Sequence, residues 1–99
     1  MTAPTAPTRP ISTIALIRGD GIGPELTDAA VRVLDAVAQR AGFALRYVEV
    51  DAGADTYRRT GTACSPESLE QLRAADAILK APVGLPEVRN PDGTEAGVL

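Results

Sequence analysis

The chain has 99 residues, 10 of them Lys or Arg and 13 Asp or Glu, with a formal net charge of −3; it lacks the basic balance of a nucleic-acid binder. Hydrophobic residues make up 44 %, enough to build a core and too many for a chain disordered by composition. With no His and a single Cys, Ser–His and Cys–His nucleophile pairs, an internal disulfide and the commonest zinc ligand are all excluded. No apolar run approaches the ~20 residues of a membrane span.

In chain order, MTAPTAPTRP carries a repeated TAP unit and three prolines. It lacks the apolar stretch of a signal peptide and reads as a disordered N-terminal extension over residues 1–10. Ile11 to Ile17 is short, β-branched and apolar on both faces, the pattern of a buried parallel strand. Pro24 is placed for a first helical turn, and Glu25 follows near the positive helix end. Leu26, Ala30, Val33, Leu34, Val37 and Ala41 then recur at helical spacing. They predict an amphipathic helix with that stripe inward, closed by Gly42.

Phe43 to Val50 reads as a second strand, Asp55 to Arg59 as a short helix stopping near Gly61, and Ser65–Pro66 as a capped start of another. Leu69 and Leu72 are expected to form that helix's inner face. Arg58 and Arg59, the one adjacent basic pair, read as a solvated helix face. Ala77 to Ala81 is a third apolar run. Gly84 to Gly97, rich in Pro, Gly, Asn and Asp, reads as a long loop of the kind that is often functional. Strands alternating with helices imply an α/β fold with a parallel sheet.

The glycine stretch between the first strand and helix is the chemically informative part. Gly19, Gly21 and Gly23 spell G-x-G-x-G, not the G-x-G-x-x-G of a dinucleotide fingerprint, although Glu49 and Asp51 stand where a ribose-binding acid would. A Walker loop needs G-K-[ST], which is absent. A tight turn using glycine for backbone geometry remains. Asp20 within it reads as a turn or capping residue rather than a metal ligand.

GDGIGPE after an apolar strand resembles the N-terminal signature of the β-decarboxylating dehydrogenases, the isopropylmalate, isocitrate, homoisocitrate, tartrate and D-malate dehydrogenases. YRRTG followed by SPESLEQLRAADAILKAPVG is similar to that family's second helix and third strand. PEVRNPDGTEAGVL is similar to the stretch leading into its substrate-binding region. The resemblance runs over residues 13–99. It implies a parallel βαβαβ segment from the large domain of an isopropylmalate dehydrogenase-like fold, which is not a Rossmann fold. Residues 11–99 would be the incomplete N-terminal part of that domain.

The resemblance further implies oxidation of a small-molecule 2-hydroxy acid by NAD and loss of its β-carboxyl as carbon dioxide, with Mg²⁺ or Mn²⁺ as Lewis acid. It implies a cytoplasmic homodimer of the full-length protein. Ile22, Gly84 and Glu95 are expected at the cofactor. Glu95, Gly97, Val98 and Leu99 resemble the Glu-x-Gly-Leu-Leu pattern of the isopropylmalate enzymes, in which the Glu lies near the nicotinamide. Glu95, Val98 and Leu99 would then face substrate, the last two receiving a branched alkyl group. The Ser and Asn of isocitrate enzymes and the Trp of tartrate and D-malate enzymes are missing at this place.

The family's catalytic Tyr and Lys, its substrate-binding arginines and its metal-binding aspartates all correspond to positions after Leu99, and Lys80 lies in a strand. The chain by itself is therefore expected to hold no catalytic or metal-binding residue and to be inactive. The reading favoured is the N-terminal part of an isopropylmalate dehydrogenase-like enzyme of leucine biosynthesis. The alternatives are a tartrate, D-malate or isocitrate relative, and a non-catalytic truncated subunit or binding module.

Overall fold

The structure, a computed structural model, describes residues 11–96. The tail expected over residues 1–10, and the expectations for Gly97, Val98 and Leu99, lie outside the described residues. Six elements follow in order: β1 (Ile11–Ile17), α1 (Gly23–Ala41), β2 (Ala44–Glu49), α2 (Ala54–Thr60), α3 (Pro66–Ala74) and β3 (Ala77–Lys80). The strands form one sheet in the order β2-β1-β3, with both pairings parallel. This is the expected α/β arrangement.

β1 is central because both its faces are apolar. Its carboxyl half, Ala15, Leu16 and Ile17, is at most 3 % exposed. Side chains alternate along a strand, so Ala15 and Ile17 share one face and Leu16 the other. The first face forms a core cluster with Val50 and Ala52, against which Leu72 and Ala75 at the end of α3 pack. On the second face Leu16 pairs with Leu79 of β3. There Leu79 and Leu26, Thr27 and Ala30 of α1 line a groove of about 190 Å³.

The helix boundaries follow local chemistry. Gly42 ends α1 in the left-handed conformation, its N–H donating to Ala38 O, as a glycine after a helix does. Ser65 caps α3, its Oγ accepting from Ser68 N at 3.0 Å. In turn Ser68 Oγ donates to Asp51 O at 2.8 Å, tying α3 to the exit of β2.

Two expectations about faces are corrected. The buried residues of α1 are Gly23, Thr27 and Ala38, whereas Leu26, Val33 and Val37 are exposed, Val33 at 62 %. Small side chains let the helix approach the sheet closely, and a three-stranded sheet covers only one flank of the broad apolar stripe. On α3 only Leu72 turns to the core; Leu69 is exposed.

The long loop has more structure than its composition suggests. Arg89 and Glu95 form an antiparallel bridge, Asn90 N donates to Thr94 O at 2.8 Å, and Ala96 N donates to Val88 O at 3.2 Å. Val88 and Ala96 bury against Ala54 of α2, with Tyr57 and Leu85 beside them.

Gly19 illustrates how tightly the loops after β1 and β3 meet. Its φ is +77°, and a Cβ placed on it would lie 2.1 Å from Pro82 O. Gly21, at φ +58°, faces open space. Gly21→Ala is expected to cost about 1 kcal/mol for the left-handed backbone alone. Gly19→Ala adds a backbone clash and is expected to cost about 3 kcal/mol or more. Urea unfolding of the two variants beside the parent checks the difference; equal midpoints would show that the Gly19–Pro82 approach does not constrain the fold.

Candidate functional site

A parallel sheet ordered 2-1-3 reverses direction at β1, since the chain steps to one side to form β2 and crosses back to form β3. Ligands of open α/β sheets bind beyond the carboxyl ends of the strands at such a reversal. Here that place is bounded by the loop after β1, which carries the glycines, and the loop after β3, which begins Ala81–Pro82–Val83–Gly84.

Asp20 joins the two. Its backbone N–H donates to Pro82 O at 2.9 Å, and its carbonyl accepts from Gly23 N at 2.8 Å, closing the tight turn. Its carboxylate accepts three backbone N–H groups: Ala54 to Oδ2 at 2.8 Å, Asp55 to Oδ1 at 3.0 Å and Gly84 to Oδ2 at 2.8 Å. The residue is buried, at 7 % exposure. The expected capping role is thus present, but on a different helix. α1 begins after Ile22 with no side-chain cap. It is α2, whose N-cap Gly53 has no side chain to offer, that Asp20 caps across 34 positions of sequence.

The expected cofactor residues gather around this junction. Ile22, on the turn that Asp20 closes, is 65 % exposed. Gly84 has φ +125°, and Glu95 Oε2 lies 2.7 Å from the point a Cβ on Gly84 would occupy. Gly84 and the exposed Glu95 are therefore neighbours; any larger residue at 84 would push the carboxylate away. Val98 and Leu99 lie outside the described residues.

Beside the junction, a polar cleft of about 260 Å³ is lined by Asp20, Arg18, Glu49, Asp51 and Arg59 among others. Its charges are paired. Arg18 Nε donates to Glu49 Oε1 at 2.7 Å, and its Nη1 to Asp28 Oδ1 at 2.6 Å. Arg59 donates to Asp51 and Asp55, both at 2.9 Å. Glu49 and Asp51 thus face arginines, not an open ribose position. Arg58 and Arg59 are exposed as expected, with Arg58 bound to Asp55 at 2.6 Å; pairs this exposed are screened by solvent and contribute little.

Among the described residues no group of three or more His, Cys, Asp or Glu side chains is arranged to hold a metal ion. The phenol of Tyr47, pushed up to about 12 by burial and then by its hydrogen bond to Asp35, is no acid or base at neutral pH. Lys80 Nζ donates to Ala81 O at 3.3 Å. What the described arrangement does chemically is to bring an exposed apolar side chain, a glycine and a carboxylate to the loops beyond the carboxyl ends of the strands; Ile22, Gly84 and Glu95 do not themselves line the polar cleft.

The bridging role of Asp20 was the part not legible in sequence. Its partners stand 34 and 64 positions downstream, and all are backbone N–H groups, which leave no signature in residue identity. An acidic residue in an otherwise glycine and apolar turn was the only signal.

Burial raises the Asp20 carboxyl, and the N–H groups of Gly84, Ala54 and Asp55 outweigh it, holding the group below its ordinary value. A carboxyl lowered in the folded state contributes stability above its unfolded value, about 3.9, and loses it as pH falls through the folded one. The denaturant midpoint of the parent is therefore expected to fall with pH below about 4. Asp20→Ala, which strands the Ala54 and Gly84 donors, should cost about 3 kcal/mol at neutral pH and show a shallower acid slope. An unchanged slope would remove Asp20 from the acid-labile groups.

The family model for isocitrate/isopropylmalate dehydrogenase matches residues 13–99. A 3-isopropylmalate dehydrogenase of Anaeromyxobacter dehalogenans is 49 % identical over 78 residues, which cover 79 % of this chain and 22 % of that protein. A probable tartrate dehydrogenase/decarboxylase of Agrobacterium vitis is 42 % identical over 76 residues, covering 76 % of this chain and 21 % of the other. Among solved structures, the apo form of a β-decarboxylating dehydrogenase from Thermococcus kodakarensis matches with a TM-score of 0.59 and 39 % identity, over 82 % of this chain and 24 % of that one. The chain thus spans about a fifth of the length of the curated relatives it matches. With its parallel sheet, its GDGIGPE turn and a match over residues 13–99, the chain belongs to the isocitrate/isopropylmalate dehydrogenase family.

Proposed function

We propose that the chain supplies the N-terminal part of the large domain of an NAD-dependent oxidative decarboxylase of a 2-hydroxy acid, with 3-isopropylmalate as substrate. The observation that carries this is the junction at the sheet reversal. The turn bearing Ile22 is tied through Asp20 to Gly84, and the Glu95 carboxylate lies against Gly84. An exposed apolar side chain, a glycine without bulk and a carboxylate suit a flat, polar-edged nicotinamide ring. In this reading Ile22 offers the ring an apolar contact, Gly84 lets the cofactor approach and Glu95 borders both cofactor and substrate.

Val98 and Leu99 receive the branched alkyl group of the substrate. An apolar pocket of this kind discriminates by about 1–3 kcal/mol per methylene. Mg²⁺ or Mn²⁺, which supplies Lewis-acid polarisation when bound, has no matching ligand set among the described residues. Its ligands, like the acid and base groups, belong to the remaining four fifths of the full-length protein. The lone Cys64 is compatible with a reducing, cytoplasmic setting, and in this reading the full-length protein is a homodimer acting on a small-molecule hydroxy acid. The Agrobacterium vitis relative, a probable tartrate dehydrogenase/decarboxylase, makes tartrate the second substrate reading.

The test uses the protein expressed from its whole reading frame, assayed by NADH absorbance with Mg²⁺ and 3-isopropylmalate, isocitrate, D-malate or tartrate. Turnover is expected with 3-isopropylmalate. Leu99→Ala is expected to lower kcat/KM for it about tenfold, with little effect on D-malate. The 99-residue chain alone should be inactive. Preference for D-malate or tartrate would overturn the alkyl pocket and keep the family chemistry. Absence of NAD reduction with every substrate would favour a non-catalytic binding module.

A further inference from the structure

We propose that Asp20 is a positioning residue for the cofactor-side cleft: its carboxylate seats both surfaces on which the Glu95-bearing segment rests. This depends on the reading of Glu95 as a cofactor neighbour.

The first surface is Ala54. Its N–H donates to Asp20 Oδ2 at 2.8 Å, its side chain is fully buried, and Val88 and Ala96 pack directly on it. The second is Gly84. Its N–H donates to the same Oδ2 at 2.8 Å, and the carboxylate of Glu95 lies against its Cα. Segment 88–96 is held to itself by the Asn90–Thr94 and Ala96–Val88 hydrogen bonds. It meets the rest of the molecule at Ala54 and Gly84, with Tyr57 and Leu85 beside them, and a single oxygen atom holds the N–H groups of Ala54 and Gly84. If that oxygen releases them, the helix start and the loop after β3 can separate, and Glu95 loses its place opposite the turn that carries Ile22.

Two oxygens that only accept take the three N–H groups, with Ala54 and Gly84 both on Oδ2 and Asp55 on Oδ1. An amide whose oxygen takes the Oδ2 place would keep both Ala54 and Gly84 and turn its NH2 toward Asp55 alone, so Asp20→Asn does not separate the two sides. Asp20→Ala removes the shared acceptor.

The experiment compares the parent, Asp20→Ala and Leu72→Ala in the protein expressed from its whole reading frame. Leu72 packs on the other core cluster and serves as a control for general destabilisation. Hydrogen–deuterium exchange is followed in peptides spanning 88–96, and steady-state kinetics are measured with varied NAD. Asp20→Ala is expected to speed exchange in 88–96 about tenfold or more and to raise KM for NAD more than it lowers kcat. Leu72→Ala should leave both near the parent values.

Exchange in 88–96 no faster in Asp20→Ala than in Leu72→Ala would overturn the proposal. Faster exchange with unchanged KM for NAD would overturn its cofactor part. If the parent fails to reduce NAD at all, the proposed function fails, and exchange still decides whether Asp20 positions Glu95. If Asp20→Ala does not fold, native-state exchange of the parent in low denaturant replaces it. Ala54, Gly84, Asn90 and Ala96 should then open as one unit. Earlier, independent opening of Asn90 and Ala96 would falsify the coupling.

Discussion

Three backbone N–H groups converge on one carboxylate, and the arrangement of loops at the carboxyl ends of the strands depends on that convergence. A buried charge is costly unless it is hydrogen-bonded, and a helix start left without acceptors is costly as well. Asp20 resolves both at once. It is buried, it accepts from Ala54 and Asp55 at the start of α2, and it accepts from Gly84 beyond β3. Removing the carboxylate leaves the N–H groups of Ala54 and Gly84 without this acceptor, so the turn, the helix and the loop are constrained together rather than singly.

This constraint explains the small residues around it. Gly19 passes so near Pro82 O that a side chain is excluded. Gly53 precedes a helix it cannot cap and lies against Asp20 Oδ2, where a Cβ would come within 2.9 Å. The glycines bring backbone against backbone and against carboxylate. The N–H groups of Asp20 and Gly23 are engaged within the junction, so they are not turned outward to cradle a phosphate. Around them the charged side chains form pairs among themselves, Arg18 with Glu49 and Asp28, Arg59 with Asp51 and Asp55. The described residues therefore shape and border a cleft, and no group of three or more His, Cys, Asp or Glu among them is arranged to hold a metal ion.

The same sheet accounts for what packs and what does not. Each face of three strands can shelter only a narrow strip of helix. On α1 that strip is Gly23, Thr27 and Ala38, and the bulkier Leu26, Val33 and Val37 project past it. On α3 it is Leu72, with Leu69 outside. Helical periodicity identifies an apolar arc, but an arc wider than its contact leaves the choice of buried flank to the partner surface.

The sequence by itself determined the local structure. A β-branched run specified β1 and short apolar runs β2 and β3, while Ser65–Pro66 specified the start of α3 and Gly42 and Gly61 the ends of α1 and α2, because these rest on preferences that each residue carries with it. Alternation of strands and helices determined the parallel sheet, and the GDGIGPE turn pointed to the family. Tertiary structure decided the strand order β2-β1-β3, the flank of α1 that is buried, the fold of 88–96 onto Ala54, and the partners of Asp20. Those outcomes depend on groups brought together from 34 to 64 positions apart. A backbone N–H is the same in nearly every residue, so its place in such a junction is written only in three dimensions.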